Sequence, residues 1–338
     1  MHIDPDAPLR WGIIGTGGLA EQVARDLVTL PSDASLHAVV SRRQATADAF
    51  AARFGCPTAL TSVEQLADAG VDVVWVTSPH TEHARATAHL LERGIPVLCE
   101  KPMTTSPDDT RALIALAERH DTFLMEAVWM RCHPLIRHAL ALAASGEIGD
   151  IVHARASFAM AFDVPDDHRL RAPDLGGGAI LDLGVYPVHL IEAFLGRPSS
   201  VYARGSFAGT GVDAMTTAVF DVPATTDRPA AQGVAFAAIE AASDHTAEII
   251  GTNGRLLIGP FFLNPESLRI VRPGRPDEEC VTATIGYGYV HEIREVTRCI
   301  RMGLSSSPLV SWTSSANAAD MLHAWRAALD DPLGLVTI

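Results

Sequence analysis

The stretch Leu9-Arg10-Trp11-Gly12-Ile13-Ile14-Gly15-Thr16-Gly17-Gly18-Leu19-Ala20 decides the fold of this chain. The apolar run Leu9–Ile14 reads as a buried strand, and the Ala-rich stretch Leu19–Leu30 has the length and texture of a helix. The turn between them is G-x-G-x-x-A. Gly15 permits the tight turn, Gly17 lets the backbone approach a pyrophosphate, and Ala20 lets helix and strand pack closely. The helix N-terminus offers N–H donors and positive potential to phosphates. A glycine-rich turn alone is commonplace. Its strand–turn–helix context, with more such units behind it, favours a dinucleotide site contacted by Gly15, Thr16, Gly17, Gly18 and Leu19.

Working outward, apolar runs at Leu36–Val40, Val73–Val76, Val97–Cys99 and Thr122–Met125 alternate with helix-length stretches at Ala45–Phe54, Val63–Ala69, Glu82–Glu92 and Pro107–His120. Such alternation predicts an α/β domain with a doubly wound parallel sheet covered on both faces. Ser106-Pro107-Asp108-Asp109 is a strong helix start, and Gly94 a helix stop. After about residue 147 the texture changes. Strand-length runs occur at Ile151–Phe158, Val201–Phe207, Met215–Asp221, Val234–Ala241, Ala247–Ile250, Arg255–Ile258, Leu268–Val271 and Val281–Ile285. Helical patterns interrupt them at Pro134–Ser145, Ala179–Leu195, Tyr289–Met302 and Thr313–Leu329. This predicts an α+β domain with one mainly antiparallel sheet. Asp163–Gly178 is the least regular stretch, and a loop that long in a compact domain is more often functional than idle.

A length of 338 residues is a two-domain length. The expected division is a dinucleotide-binding domain over 1–130 and a substrate and dimerisation domain over 131–338, with the last helix, 311–330, packing back on the first domain and the active site between the halves. There are 26 Lys and Arg against 40 Asp and Glu, a net charge of −14. That excludes nucleic acid and anionic membrane as partners, since both need a basic face, yet permits an anionic ligand in a locally basic pocket. Cys56, Cys99, Cys132, Cys280 and Cys299 have no CxxC spacing and read as buried thiols. The 14 histidines lack metal-ligand spacing, so no catalytic metal is expected. The acidic opening Met1–Asp6 has no apolar signal core, and no apolar run reaches the ~18 residues of a membrane span. The expected location is cytoplasmic.

The end of the second strand discriminates between nicotinamide cofactors. An acid there would bind the ribose 2′-OH, but the chain has Val40-Ser41-Arg42-Arg43 and no acid before Asp48. Ser41, Arg42 and Arg43 suit a 2′-phosphate, so NADP is expected over NAD. The plain alternative is a solvated helix start. Lys101, in Glu100-Lys101-Pro102, sits at the carboxyl end of a parallel strand, where doubly wound folds bind ligands. Asp182 and Tyr186 are i and i+4 on a predicted helix just after Gly176-Gly177-Gly178, with His189 and Glu192 on roughly the same face. From spacing alone, that pair serves a cleft or the core equally well.

Together these segments resemble the Gfo/Idh/MocA oxidoreductases. The resemblance covers nearly the whole chain and includes Glu126–Pro134, Glu248–Gly254 and Tyr287-Gly288-Tyr289 with Glu292. Tyr186, where many members place His, makes the chain more similar to the dihydrodiol dehydrogenase, NADP-dependent xylose dehydrogenase and glucose-fructose oxidoreductase branch. The resemblance implies an N-terminal Rossmann domain plus an α/β domain whose open antiparallel sheet serves as a homodimer or homotetramer interface. It places Lys101 as catalytic lysine and Asp182 and Tyr186 as helix-borne active-site residues. Ser78, Pro79 and His80 then line the nicotinamide ribose, with His83 and Glu100 beside the cofactor and Trp129 and Arg131 reaching cofactor or substrate.

The implied reaction moves a hydride between nicotinamide and a sugar, polyol or vicinal diol. Tyr186 exchanges the hydroxyl proton, its phenolate favoured by the Lys101 ammonium, or the two exchange roles. Two alternatives remain at this level: a non-catalytic NADP-sensing regulator, and an NAD-dependent glycoside hydrolase. The first should have lost Lys101 or the Asp182/Tyr186 pair, and the second does not need Arg42 and Arg43.

Overall fold

The computed structural model describes residues 7–338, so the acidic opening Met1–Asp6 lies outside the described residues. The chain forms two compact units. The first comprises the described part of Met1–Thr104, Asp108–Trp129 and Ile285–Trp312; the second comprises Thr105–Pro107, Met130–Thr284 and Thr313–Ile338.

The first unit begins with β1 (Leu9–Ile14), α1 (Gly18–Leu27), β2 (Ala34–Val40), α2 (Gln44–Phe54) and β3 (Thr58–Leu60). It continues through β4 (Val73–Val76), α3 (His83–Leu91), β5 (Val97–Glu100), α4 (Pro107–Arg119) and β6 (Leu124–Ala127). The six strands run in the order β3-β2-β1-β4-β5-β6, each neighbouring pair parallel. Every residue of β4, β5 and β6 is buried, which is why these strands read as unbroken apolar runs. The order places β1 beside β4, where the strand order reverses, and the loops after those strands form the ligand-binding end of such sheets. The short β3 escaped the apolar pattern because its residues are only half-buried.

The short helix α5 (Trp129–Cys132) spans the boundary, Trp129 belonging to the first unit, and the second unit then contains α6 (Pro134–Ala144), β7 (Ile151–Ala159), α7 (Val185–Leu195), β8 (Ser200–Phe207), β9 (Asp213–Val222) and β10 (Ala231–Ala238). It goes on through β11 (Ala247–Gly251), β12 (Gly254–Ile258), β13 (Ser267–Val271) and β14 (Glu278–Val281). A nine-stranded sheet runs β14-β13-β12-β11-β7-β10-β9-β8-β15, with β15 at Leu335–Thr337. It is antiparallel except for the parallel pair β7 and β10. Buried and solvent-facing residues alternate along β9 and β10, so one face packs and the other stays open. The packed face carries α7, nine of whose eleven residues are buried. The run Pro173–Leu195 is long and apolar enough to cross a membrane, and 78% of its most apolar 18-residue window is buried inside the protein, as in a core helix.

Two expectations need correction. The strand expected at Val281–Ile285 ends at Val281, where the chain turns toward α8 (Val290–Arg301). The segment that rejoins the first unit is Ile285–Trp312, whereas α9 (Trp312–Asp330) belongs to the second unit from Thr313 onward. The reasons are specific. Asp26 on α1, 1% exposed, accepts the N–H groups of Tyr287 and Tyr289, both at 2.9 Å, and so fastens the returning chain. Trp325 of α9 donates to Thr216 Oγ1 at 2.9 Å and meets the Phe220 ring edge-on, which anchors the last helix on β9.

Candidate functional site

The glycine turn is shaped by its neighbours. Gly15 has φ +122°, and a Cβ there would lie 2.7 Å from Thr77 Oγ1, so both backbone and space demand glycine. Gly15 N donates to Val40 O at 2.9 Å, and Thr77 N donates to Ile14 O at 3.0 Å, tying together the ends of β1, β2 and β4. Gly17 and Gly18 face open space, with nothing within 4 Å of where a Cβ would stand. Gly17 provides no side-chain cap for α1, so the first N–H groups of that helix point outward as a ready anion site. Leu19 lies in the first turn of α1.

Beside this turn, Thr16, Ser41, Arg42, Arg43 and Thr46 line a cavity of about 500 Å³, within the ordinary size range of small-ligand sites. Thr16 Oγ1 donates to Ser41 Oγ at 3.2 Å, bridging the β1 and β2 ends. Arg42 and Arg43 are exposed and have no acidic partner among the described residues. The nearest acid in sequence, Asp48, is engaged by Gln44 Nε2 at 2.8 Å.

At the end of β4, Pro79 is exposed, while the buried Ser78 hydroxyl has no hydrogen-bond partner among the described residues. His80 meets the His83 ring edge-on. His83 was expected beside the cofactor, but it is fully buried between two backbone carbonyls, Nδ1 3.0 Å from Pro102 O and Nε2 2.8 Å from Ser78 O, and its ring N–H donates to one of them. It ties the β4 loop to the turn after β5, and burial holds its pKa below the ordinary value.

Lys101 follows β5, and its peptide to Pro102 is cis. Glu100 points inward, 5% exposed; its carboxylate accepts Trp75 Nε1–H at 3.1 Å and Lys101 N–H at 3.2 Å. Burial pushes the Glu100 carboxyl up to about 7, against the opposing pull of the Lys101 charge and these hydrogen bonds. Glu126 accepts Met103 N–H at 2.9 Å. Glu292 is fully buried with neither carboxyl oxygen hydrogen-bonded among the described residues, and burial pushes its carboxyl well above the ordinary value. Trp129 is buried against Tyr289, ring centroids 5.1 Å apart, and Tyr289 in turn meets Trp75.

The Glu100 carboxyl binds its proton more tightly in the folded chain than its ordinary value of 4.5. Folding is therefore favoured below about 4.5 relative to above 7, and its contribution falls as pH rises through that window. Glu100→Gln should flatten the corresponding fall in unfolding free energy by up to about 3 kcal/mol. Urea titrations of both proteins across that window measure it; parallel curves would refute the assignment.

In the second unit, the predicted single helix Ala179–Leu195 is interrupted. Ile180–Gly184 is a π-turn, and α7 starts at Val185, so Asp182 and Tyr186 are not one α-helical turn apart. Pro187 accounts for this: it has no N–H to return to the Leu183 carbonyl and its ring crowds that position, so the preceding turn widens. Asp182 is 6% exposed and accepts Arg169 Nη1–H at 2.8 Å. The Tyr186 ring meets Phe158 edge-on, within an aromatic cluster that includes His245 and Phe261. Arg131, expected at the cofactor, is buried and committed within its own unit, donating to Glu192 Oε2 at 3.2 Å and to the His189 carbonyl at 3.3 Å. Asn317 Nδ2 donates to the other Glu192 oxygen. The buried carboxylate neutralises a guanidinium that could not remain alone there. Sequence reasoning missed Arg169 as the partner of Asp182; the only local signal was the irregularity of its loop.

A glycine turn at a strand-order reversal, an open helix N-terminus and a polar cavity at the end of β2 define a dinucleotide-binding protein with a second, sheet-based unit. Residues 9–128 match the oxidoreductase family described as having an NAD-binding Rossmann fold, and residues 136–257 match the GFO/IDH/MocA C-terminal domain. A mouse trans-1,2-dihydrobenzene-1,2-diol dehydrogenase is 32% identical, over 95% of this chain and 97% of that protein. A D-xylose 1-dehydrogenase (NADP(+)) from Hypocrea jecorina is 31% identical, over 91% and 88% of the two chains. Among solved structures, a 3-ketoreductase from Actinomadura kijaniata in complex with NADP and TDP-benzene superposes with a TM-score of 0.79 at 28% identity, covering 95% of this chain and 97% of that one. The chain belongs to the GFO/IDH/MocA family of NAD(P)-binding oxidoreductases.

Proposed function

We propose that this protein is an NADP-dependent dehydrogenase or reductase acting on a CH–OH group of a sugar, polyol or vicinal diol. The arginine-lined cavity at the end of β2 carries the choice of cofactor. Arg42 and Arg43 supply charge-assisted donors for a 2′-phosphate, with Ser41 and Thr16 completing the rim, and no carboxylate lines it to repel that phosphate. The bare backbone of Gly17 and Gly18 at the open end of α1 fits a pyrophosphate, and the unpartnered Ser78 hydroxyl fits a ribose or amide contact. The choice of substrate class draws on the diol and xylose dehydrogenases among the relatives.

When bound, the nicotinamide supplies the hydride chemistry. The protein's own residues handle the proton. In oxidation, Tyr186 takes the hydroxyl proton of the substrate, and Lys101 supplies a positive charge to a substrate oxygen. In reduction the same proton returns from Tyr186. Asp182, fixed by Arg169, orients a neighbouring hydroxyl. The open face of the nine-stranded sheet, where Tyr202 and Met215 are exposed, is the surface through which the chain would form a homodimer or homotetramer.

The test is a panel of aldoses, polyols and trans-diols with NADP and NAD, and of the matching carbonyl compounds with the reduced cofactors, followed by cofactor absorbance. Turnover with NADP exceeding that with NAD is the expected result. Tight cofactor binding without turnover in either direction would overturn the enzymatic reading.

A further inference from the structure

Asp213 opens β9 and is 3% exposed. Its carboxylate accepts Ile180 N–H at 2.6 Å, and the Ala179 N–H also bonds to it. Gly178, with φ +119°, lies over this carboxylate, and a Cβ there would collide with Asp213 Oδ1. The charged group facing it is Arg326 of α9, whose Nε is 3.8 Å from Oδ1 and whose guanidinium is shared with Asp330. On the other side, a Cβ at Gly177 would lie 2.8 to 2.9 Å from the carbonyl oxygens of Arg169, Leu170 and Ala172. The passage from the 163–178 loop into the π-turn is therefore clamped from both sides.

A carboxylate on the first N–H groups of a helical segment does the work of an N-cap. Here it comes from a strand 33 residues away, and the segment it holds is the π-turn that contains Asp182 and leads into Tyr186. We propose that Asp213 is a positioning residue for the reaction, setting the entry of the π-turn and through it the placement of Asp182 and Tyr186. The inference rests on the catalytic roles proposed for those two side chains.

Asp213→Ala should lower kcat by about 10²-fold, the scale of a misplacement near 1 Å, while the Kd for NADP measured by fluorescence stays within about twofold. Asp213→Asn keeps one acceptor oxygen and should recover part of the loss, which also covers the case in which the alanine variant fails to fold. Burial pushes the Asp213 carboxyl up to about 6, so protonation below that weakens it as an acceptor. The wild-type kcat should accordingly show an acid limb near 6 that Asp213→Asn lacks. Tyr186→Phe, measured alongside, separates the two ideas. Wild-type kcat in Asp213→Ala with an inactive Tyr186→Phe, or an acid limb near 6 retained in Asp213→Asn when Glu100→Gln is also present, overturns the positioning role. A fully active Tyr186→Phe with a crippled Asp213→Ala overturns the role of Tyr186 and leaves Asp213 acting through Asp182.

Discussion

Lys101→Met is expected to lower kcat by about 10²- to 10⁴-fold, the range typical of a lost proton-transfer partner. Tyr186→Phe should fall in the same range, because the phenylalanine keeps the ring against Phe158 and removes only the hydroxyl. The two substitutions separate roles. If Tyr186 moves the proton, its variant loses the ionisation that governs the pH dependence of kcat, whereas Lys101→Met keeps it. If Lys101 moves the proton, Lys101→Met carries the larger loss of kcat and Tyr186→Phe the smaller. In both variants the cofactor Kd should stay near wild type. Near wild-type kcat in both would refute the proposed chemistry. Glu100 sits directly before Lys101, with its carboxyl pushed up to about 7, so the charge beside the lysine itself changes across neutral pH. Glu100→Gln, which removes that titration, identifies any limb it adds to the profile.

The second large effect concerns the cofactor. Arg42→Ala with Arg43→Ala should raise the KM for NADP by about 10²- to 10³-fold, taking ~1.5–3 kcal/mol for each charge-assisted hydrogen bond and partial loss of both. The KM for NAD should change by less than about threefold, because NAD has no phosphate at that position. The expected result is a reversal of preference, read from kcat/KM with each cofactor. The exposed position of both arginines leaves stability nearly unchanged, so the loss is a binding effect. Equal losses with both cofactors would place the arginines elsewhere than at the 2′-phosphate.

Much of this architecture is written locally. The central and later strands β4, β5 and β6 are short and mostly apolar, because burial on both faces leaves no room for polar alternation. The turn at Gly15–Gly18 is legible because glycine is needed where φ is positive and where a ligand must reach the backbone. Lys101 and Arg42 could be placed by sequence because they follow strands whose ends define the binding edge.

Other features depend on residues far apart in the chain. Arg131 and His83 have the polarity of ligand-binding groups, yet Glu192 takes one and the carbonyls of Ser78 and Pro102 take the other. No spacing rule announces Asp26 as the clasp for Tyr287 and Tyr289, or Asp213 as the cap for Ile180, since each pair meets only after the units fold. The π-turn had a local cause in Pro187, but its position came from a carboxylate on another strand. The sequence by itself determined the parallel sheet, the phosphate-binding turn and the arginines beside it, because periodicity and turn chemistry act between near neighbours. Only the tertiary structure decided which polar side chains are buried and committed and which carboxyls are pushed above their ordinary range, because burial and hydrogen-bond partners are properties of the folded whole.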